Sequence, residues 1–542
     1  MLERELQSRI DALFSEFTEP GSPGCALGIM RDGDLAYAQG YGLANLEHGI
    51  EIEPSTIFYI ASMAKQFTGL AIAILADQGR LDLDADIRTL LPYVPDFGHR
   101  ITTKHLLYHT SGLRSDIFLL MLSGWRVEDV IRQEDILEFV KHQQDLDFVP
   151  GTEFAYCGTG YSLLAEIVTT VTGQPFPEFC REQIFEPLGM THTRFEDDPI
   201  ALVPGRASAY FQVPGGEFKN AVLTIGILGG TGVFTTIEDL ARWDENFYTG
   251  AVGGMRALEM MQRPGTLDSG EKLSYAFGLT VETHAGRDVI AHAGDSAGVH
   301  CYMMRFPNEH MSIAVLGNAS TVRASGLAQG VADLLLEADT AENDPESQAP
   351  GAPSPVEVPS DVLAARSGRY FDPVSSAFIE IPFDGDSLSI YGYALAPSSE
   401  SEFSVPEHPE ATVRFVAAAS GVLSATIDIG NGPTTYSRVE PVHPTQEELE
   451  VYAGTYWSPE VDVRWIITLD DDGLRVHRRR QGVSHLTPMC ADVFTDPWVG
   501  EILHGNAQWV IAFDRDGADI TGLRVTAAGG RGRNLRFERI GD

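Results

Sequence analysis

Hydrophobic residues near the N-terminus recur first at the spacing of a helix and then at the spacing of strands. One apolar stripe predicts an amphipathic helix and consists of Leu6, Ile10, Leu13 and Phe17. Two apolar runs follow, residues 25–30 and 35–41, and the polar turn at 31–34 separates them. This arrangement predicts a β-hairpin directly after the first helix.

Apolar periodicity further along predicts helices over residues 62–77 and 161–173. A strand is predicted over 311–318 and a closing helix over 321–337. Strand patterns therefore stand at both ends of residues 1–337, with helices between them. We expect one sheet that takes strands from both ends of this segment, and we assign 1–337 to the first domain.

Residues 341–360 are rich in Pro, Ser and Ala and show no periodicity, so they predict a linker, which we place at 338–360. After it, short alternating strands are separated by acidic, glycine-containing turns, which is typical of β-domains. A repeat divides this region: Gly, Tyr and Pro recur 86 residues apart in the segments 367–373 and 453–459. We therefore predict two small β-barrel domains, at 361–442 and 443–542.

The composition excludes several classes of protein. Among 542 residues, 38 Lys+Arg stand against 77 Asp+Glu, and the net charge of −39 disfavours nucleic acid and anionic membrane surfaces as partners. The N-terminus lacks a signal peptide and no apolar run is long enough to span a membrane, so we expect a cytoplasmic protein. The five widely spaced cysteines predict buried free thiols.

Only five lysines occur, and one of them completes a chemically suggestive pattern. Ser62 and Lys65 open the helix predicted over 62–77, and a spacing of three places their side chains on one face, one turn apart. A serine hydroxyl is a poor nucleophile until a neighbouring base takes its proton. The alternative for this pair is a helix cap followed by a solvated lysine.

Two further positions suit proton transfer. Tyr156 follows a Pro-Gly turn and serves as a base only near cations, because the free phenol has a pKa near 10. His292 follows a strand-like run, where it is suited to a proton relay or to anchoring a carboxylate. The alternatives are a packed aromatic ring and a structural histidine.

Motifs for metal or cofactor binding are missing from the sequence. It has no HExxH, no paired CxxC, no GxGxxG between a strand and a helix, and no GxxxxGK[ST]. We therefore predict neither a metal nor a cofactor.

The order of Ser62-x-x-Lys65, Tyr156 and His292-x-Gly294 resembles that of the serine β-lactamases and penicillin-recognising hydrolases. Further stretches resemble the family in the same order. They are the "LL-x-HTSGL"-like segment at 103–113, the "F-x-PGT"-like segment at 148–152, the "GGL-x-ST-x-x-DL"-like segment at 230–240, Phe277-Gly278-Leu279 and Leu316-Gly317-Asn318. Such a domain followed by two barrels is most similar to the three-domain D-aminopeptidases, whose third motif is also His-x-Gly.

The resemblance implies an α/β (α+β) fold, an antiparallel sheet flanked by helices, followed by two small antiparallel lipocalin-like β-barrels. It implies that Ser62 is the nucleophile, that Lys65 and Tyr156 share the role of base, and that His292 supports Tyr156 or the substrate. The backbone N–H groups of Ser62 and Asp295 would form the oxyanion hole. A homodimer is the assembly that the resemblance implies.

Two positions depart from the family pattern. Gly158 replaces an asparagine that contacts the substrate amide in the family. The segment matching a loop that reaches the cleft in D-aminopeptidases is basic here, and arginines suit carboxylates rather than free amines. We expect the following substrate-binding residues: Gly158, Gly294, Arg478, Arg479, Arg480 and His485. A solvated basic turn is the alternative for the arginines.

Three functions follow from these observations. The first is a D-aminopeptidase-like serine hydrolase that acts on small amides or short peptides through an acyl-enzyme. The second is an esterase, β-lactamase or D,D-peptidase whose substrate carries a carboxylate. The third is a catalytically silent penicillin-binding or scaffolding protein, which the missing asparagine favours.

Overall fold

The computed structural model of the chain forms two compact units. The first comprises Met1–Ser111, Val127–Glu138 and Gly158–Ala349, and the second comprises Gly112–Arg126, Phe139–Cys157 and Pro350–Asp542. The structure describes residues 3–126, 129–213, 215–222, 224–343, 356, 358–390, 393–405, 408–417, 422–428, 433–496, 509–527 and 532–541. Two stretches of the N-terminal sequence thus belong to the second unit, and we call Gly112–Arg126 and Phe139–Cys157 the inserted segments.

A six-stranded antiparallel sheet forms the centre of the first unit. Its strands, in spatial order, are Thr280–His284, Arg287–Ser296, Val299–Phe306, Met311–Gly317, Cys25–Arg31 and Asp34–Tyr41. Cys25–Arg31 pairs with Met311–Gly317, so both ends of the segment contribute to one sheet. The prediction of a hairpin and of a sheet built from both ends is confirmed.

Helices and short strands make up the rest of the first unit. The helices are Arg4–Leu13, Lys65–Asp77, Thr103–Leu107, Gln133–His142 (which continues into the second unit), Gly158–Thr172, Phe176–Cys180, Ile237–Thr249, Gly254–Met261 and Ala324–Asn343. Short 3-10 turns lie at Ser15–Thr18, Ala61–Ala64, Ile87–Thr89 and Pro307–Glu309, and a π turn lies at Arg181–Phe185. The short strands are Leu43–Asn45, Ile50–Glu51, Phe58–Tyr59, Ile131–Arg132, Arg194–Phe195, Tyr210–Gln212, Phe218–Asn220, Ile225–Gly226 and Val233–Thr235.

The first helix differs in one respect from its prediction. Ile10 and Phe17 are buried, but Leu13 is 37% exposed and its neighbour Phe14 is fully buried instead. Phe14 follows Ile10 by four residues, about one helical turn, so it shares the buried face of Ile10. The buried positions are therefore 10, 14 and 17 rather than 10, 13 and 17.

The cysteines of the first unit behave as predicted. Cys25, Cys180 and Cys301 are buried free thiols, and burial raises the pKa of each. Thiols of this kind are protonated and chemically inert at neutral pH. In the second unit Cys157 is also a buried thiol, whereas Cys490 is half-buried.

The second unit contains two antiparallel sheets, each around its own core. The first sheet has the spatial order Ala377–Ile381, Gly368–Asp372, Thr434–Val439, Leu423–Asp428, His408–Ala417, Glu402–Val405, Ala396–Pro397, with a separate hairpin of Ser389–Ile390 and Tyr393–Ala394. Helices Ser360–Arg366 and Gln446–Glu450 precede the first and second sheets, and helix Asp116–Leu122 lies in the first inserted segment.

The second sheet has nine strands and curls back on itself. The order is Gly482–His485, Gly473–Arg478, Val463–Asp470, Gly454–Ser458, Leu535–Gly541, Asp519–Ala527, Trp509–Asp516, Val493–Asp496, Thr487–Cys490. The two edge strands, Gly482–His485 and Thr487–Cys490, are separated by a single residue in the chain. This short connection between opposite edges requires a nearly closed barrel, and the predicted fold class is confirmed.

The repeat has a structural purpose. Gly368 and Gly454 begin equivalent strands at φ of +147° and +155°. Two residues later Tyr370 and Tyr456 are fully buried, and each hydroxyl donates to the backbone carbonyl four residues before it. The tyrosine therefore fixes the first of these strands to the last residue of the helix Ser360–Arg366, and the second to the turn that follows the helix Gln446–Glu450.

The predicted linker at 338–360 lies mostly outside the described residues. The helix Ala324–Asn343 extends into its first part, and Ser360–Arg366 begins at its last residue. Within the described ranges, the first sheet of the second unit starts at Gly368 and the second at Gly454.

Candidate active site

Ser62 and Lys65 meet where a 3-10 turn passes into an α-helix. Ser62 lies in the turn Ala61–Ala64, and Lys65 is the first residue of the helix Lys65–Asp77. The Lys65 Nζ lies 3.1 Å from the Ser62 Oγ, and the lysine is only 2% exposed. The sequence spacing therefore produces a direct contact between a hydroxyl and a buried amine, and the solvated-lysine alternative does not hold.

The lysine amine also contacts a glycine-rich segment. Its Nζ donates to the Gly230 carbonyl at 2.8 Å, and the Thr68 hydroxyl donates to the Gly229 carbonyl at 2.7 Å. A methyl group at Gly229 would lie 2.2 Å from the Tyr161 carbonyl oxygen. Glycine is required here because the segment passes closely between two helices. It therefore orients Lys65 through a backbone acceptor.

The turn before the nucleophile is strained and closely covered. Ala61 has a φ of +44°, a conformation that costs a non-glycine residue of order 1–3 kcal/mol. A methyl group at Gly294 would lie 2.1 Å from the Ile60 carbonyl oxygen. The strand Arg287–Ser296 thus approaches the serine turn so closely that only glycine fits. This explains physically why the third motif is His-x-Gly.

His292 is buried and neutral. Burial is the main reason that its pKa falls from 6.5 to about 4, and the positive charge of Lys65 lowers it further. Its Nδ1 lies 2.5 Å from the Ala293 carbonyl and therefore carries the proton, because a carbonyl only accepts. The Nε2 then accepts from the Tyr275 hydroxyl at 3.0 Å.

Sequence reasoning missed Tyr275 and the ring next to it. The His109 ring centroid lies 4.6 Å from that of Tyr275 and 5.1 Å from that of Tyr161. The Lys65 Nζ lies 5.5 Å from the Tyr161 ring centroid. His109 lies inside the "HTSGL"-like segment, and Tyr275 stands two residues before Phe277-Gly278-Leu279, so the motifs contained the signal.

Asp295 follows Gly294 on the same strand. Its side chain is exposed, and its Oδ1 lies 2.7 Å from the Nδ1 of His300 on the neighbouring strand Val299–Phe306. This contact fixes the side chain away from its own backbone. The predicted oxyanion role concerns only the Asp295 backbone N–H.

The structure assigns Tyr156 and Gly158 to different units. Tyr156 is half-buried near the end of the second inserted segment, which belongs to the second unit. Gly158 begins the helix Gly158–Thr172 in the first unit. The first unit thus brings together Ser62, Lys65 and His292, and the function of Tyr156 beside them remains a prediction.

The basic segment forms a hairpin of the second barrel. Strand Gly473–Arg478 pairs with Gly482–His485. Arg479, Arg480 and His485 are exposed, but Arg478 is buried, and its guanidinium contacts the Asp496 carboxylate. Arg478 is therefore engaged inside the barrel, while the exposed residues remain suited to a ligand.

A cavity of about 380 Å³ lies elsewhere in the first unit. Phe58, Tyr59 and Phe234 form one wall, and residues 198–203 form another. None of Ser62, Lys65 and His292 lines it. The cavity and the nucleophile are thus separate features of the unit.

A serine hydroxyl in contact with a buried lysine, next to a neutral histidine, defines a serine hydrolase of the Ser-x-x-Lys kind. The chain belongs to the beta-lactamase family, because the family model described as Beta-lactamase matches residues 10–336. Both the recognised family and the hydrolase class predicted from the sequence are confirmed. Among the helices of the described part of the chain, none is long and apolar enough to cross a membrane.

Similar proteins extend the comparison to the C-terminal region. A D-aminopeptidase of Gluconobacter oxydans (strain 621H) is 26% identical over 547 residues, which covers 99% of this chain and 98% of the relative. Penicillin-binding protein 4* of Bacillus subtilis (strain 168) is 28% identical over 303 residues, covering 53% of this chain and 66% of the relative. The first relative thus matches all three predicted domains, whereas the second matches about half of this chain.

Solved structures share the fold. The octameric penicillin-binding protein homologue from Pyrococcus abyssi has a TM-score of 0.56 at 24% identity and covers 80% of this chain and 99% of its own. The D-amino acid amidase from Ochrobactrum anthropi SV3 has a TM-score of 0.54 at 20% identity and covers 62% of this chain and 100% of its own.

Proposed function

We propose that this serine hydrolase is a D-aminopeptidase that removes an N-terminal D-residue from small amides or short peptides. The observation that carries the proposal is the 3.1 Å contact between Lys65 Nζ and Ser62 Oγ, in a chain that a D-aminopeptidase matches over 99% of its length. The contact indicates which residue is the nucleophile, and the match over the whole chain indicates the substrate class.

Catalysis would begin with proton transfer from Ser62 to the Lys65–Tyr156 pair. The Ser62 Oγ forms a bond to the substrate carbonyl carbon, and the carbonyl electrons move onto its oxygen. The backbone N–H groups of Ser62 and Asp295 would stabilise that oxyanion. Collapse breaks the C–N bond, Tyr156 returns the proton to the leaving amine, and water later hydrolyses the acyl-enzyme.

His292 would act as a fixed neutral acceptor near this machinery. With its Nδ1 proton on the Ala293 carbonyl, its Nε2 holds the Tyr275 hydroxyl. A second positive charge beside Lys65 is avoided because burial keeps the imidazole neutral. We therefore assign His292 a supporting role.

The exposed basic residues favour a second candidate, an esterase, β-lactamase or D,D-peptidase whose substrate carries a carboxylate. Arg479, Arg480 and His485 are exposed on the hairpin, and arginine binds carboxylates in a bidentate manner. Gly158 would leave room near the acylated group, whereas the space beside Gly294 is filled by the backbone of Ile60. Because Arg478 contacts Asp496, it contributes to the barrel rather than to this binding.

The first experiment asks whether Ser62 reacts covalently with probes for serine hydrolases and penicillin-binding proteins. The purified protein is treated with a fluorophosphonate probe and with fluorescent penicillin, with S62A as the matched control. We expect covalent labelling at Ser62 in the folded wild-type protein and none in S62A. A folded wild-type protein that is not labelled would overturn the serine-hydrolase mechanism and favour the scaffolding alternative. Labelling by penicillin without turnover of any substrate would favour the silent penicillin-binding alternative.

Substrate preference then distinguishes the D-aminopeptidase from the second candidate, whose substrate carries a carboxylate. D-Ala-p-nitroanilide, a D-Ala-D-Ala peptide, nitrocefin and p-nitrophenyl butyrate are compared by kcat/KM. We expect the free-amine anilide to be preferred. A preference for a carboxylate-bearing substrate that R479A/R480A removes would establish the second candidate instead.

We further propose a homodimer in the cytoplasm. The buried thiols Cys25, Cys180 and Cys301 suit a reducing compartment, and the similarity to D-aminopeptidases supports the assembly. The Pyrococcus abyssi homologue is described as octameric, so an octamer is the competing assembly. Sedimentation velocity and cell fractionation test both points.

A further inference from the structure

Three charged side chains that the catalytic proposal does not use lie buried together in the second unit. Arg114 is 1% exposed, and its Nη1 lies 2.6 Å from the Asp147 Oδ1. Its Nε lies 3.1 Å from the Glu460 Oε2. Arg114 and Asp147 come from the two inserted segments, whereas Glu460 follows the barrel strand Gly454–Ser458. We call these three residues the buried clamp.

A second set of contacts holds the inserted segment that contains Tyr156. The Arg533 backbone N–H donates to the Asp147 Oδ1 at 2.8 Å, and the Arg533 guanidinium lies 2.8 Å from the Glu153 Oε2. The segment from Asp147 to Glu153 is thus fixed to the barrel at both ends. Tyr156 follows Glu153 by three residues, so little chain separates it from an anchored point.

Apolar packing fixes the other inserted segment to the same barrel. Phe118 and Met121 share a core with Trp465 of the barrel. A methyl group at Gly532 would lie 2.2 Å from the Phe118 ring, so the barrel backbone is directly against that ring. The Gln481 side chain donates to the carbonyls of Met121 and Trp125 at 2.8 and 3.0 Å.

The clamp suits positioning better than stability alone. Replacing a buried ion cluster with apolar residues of similar volume is often neutral or stabilising, because desolvation of the charges costs several kcal/mol per ion. An ion cluster does, however, have strict geometry, since each donor must meet its acceptor. An apolar core would hold the inserted segments with less positional precision.

We propose that Glu460, through Arg114 and Asp147, is a positioning residue that holds the segment carrying Tyr156 in place for proton transfer. The proposal rests on the proton-donor role of Tyr156 in the proposed function. Glu460 acts only through the segment that carries the tyrosine.

The leaving group provides a selective test. An amine leaves only with a proton, whereas p-nitrophenolate leaves readily without one, so a misplaced proton donor impairs amides more than esters. The E460Q variant keeps the size of the side chain and removes its charge. We expect its kcat on D-Ala-p-nitroanilide or D-Ala amide to fall roughly tenfold more than its kcat on p-nitrophenyl butyrate, with little change in KM.

D496N is the matched control. Asp496 is also a buried carboxylate of the second barrel, in contact with Arg478. We expect D496N to reduce stability without changing the ratio of amide to ester turnover. In the Y156F background E460Q should no longer change that ratio, because the two substitutions act on one function. A ratio that E460Q and D496N change equally would overturn the proposal.

Hydrogen exchange gives a readout that needs no substrate. In E460Q we expect amide exchange in Phe139–Cys157 to rise at least about tenfold, because the segment loses an anchor, whereas D496N leaves it at the wild-type rate. If E460Q does not fold, D147N removes the other carboxylate of the clamp in the same assay. Unchanged exchange in the segment overturns the positioning role, whereas a wild-type protein without Ser62 labelling overturns only the proposed function.

Discussion

Two of the buried polar clusters in the described part of the chain have opposite character. In the first unit Lys65 donates to two neutral oxygens, those of the Ser62 hydroxyl and the Gly230 carbonyl, and the nearby His292 is neutral. In the second unit Arg114 contacts two carboxylates, Asp147 and Glu460. The first cluster holds an amine among neutral groups, whereas the second holds one guanidinium between two carboxylates.

This difference in the charge of the surrounding groups suits the first cluster to proton transfer and the second to positioning. An amine among neutral acceptors exchanges a proton with a hydroxyl without breaking an ion pair first. A guanidinium between carboxylates exchanges no proton, because arginine stays charged in proteins, and its planar fork fixes direction instead. The Ser62 cluster is therefore arranged to react, and the buried clamp is arranged to hold segments in place.

The largest effect is expected from removing the central cation of the clamp. R114M leaves Asp147 and Glu460 buried without their cation, which should lower the free energy of unfolding by about 3–5 kcal/mol. Adding D147N and E460Q to R114M should restore at least half of that loss, because the orphaned charges are gone. Urea unfolding at neutral pH measures both variants. If the triple variant is no more stable than R114M, lost packing rather than charge explains the effect.

A slightly smaller effect is expected from the glycine that covers the serine turn. In G294A the new methyl group would lie 2.1 Å from the Ile60 carbonyl oxygen, and the strained turn at Ala61 leaves little room for adjustment. A displacement of about 1 Å at a catalytic group costs on the order of 100-fold, so we expect Ser62 labelling by the fluorophosphonate to slow by that factor.

The matched control is a glycine in open space within the same unit. Gly326 lies exposed in the helix Ala324–Asn343, and a methyl group there meets nothing within 4 Å. G326A should label at the wild-type rate and gain about 0.5–1 kcal/mol of stability from helix propensity. Equal labelling rates in G294A and G326A would show that the strand does not control the serine turn.

The sequence predicted the reactive cluster well because its members are close in the chain or lie in motifs. Ser62 and Lys65 are one helical turn apart, so their contact follows from periodicity alone. His292 was identified from its motif, and its neighbour Gly294 proves to be required by the close approach to Ile60. Tyr275 was missed because its position two residues before Phe277-Gly278-Leu279 marks it as part of a motif but does not reveal its buried hydrogen bond to His292.

The clamp lay beyond sequence reasoning. Arg114 and Glu460 are 346 residues apart, and no periodicity links a loop arginine to a carboxylate in a distant barrel. The barrels themselves were predictable from alternation and from the repeat, since Tyr370 and Tyr456 occupy equivalent buried positions. Two stretches of the N-terminal sequence belong to the second unit. This placement depends on long-range packing, which the sequence of the chain does not reveal.

The smallest of the three effects concerns the titration of His292, and it distinguishes the neutral cluster from the charged one. The folded protein keeps the pKa of His292 near 4, whereas the unfolded chain has the ordinary value of 6.5. Between these values the unfolded state binds more protons. The contribution of His292 to the free energy of unfolding is therefore fully present above about pH 6.5 and is lost as the pH decreases towards 4.

From about pH 7.5 to about pH 5 the free energy of unfolding of the wild-type protein should fall by about 2 kcal/mol more than that of H292Q, in which the position does not titrate. Urea unfolding of both proteins at the two pH values measures this difference, and the clamp residues cancel because both proteins contain them. Equal losses in the two proteins would mean that His292 is already protonated in the folded state, and the neutral-acceptor role would then be wrong.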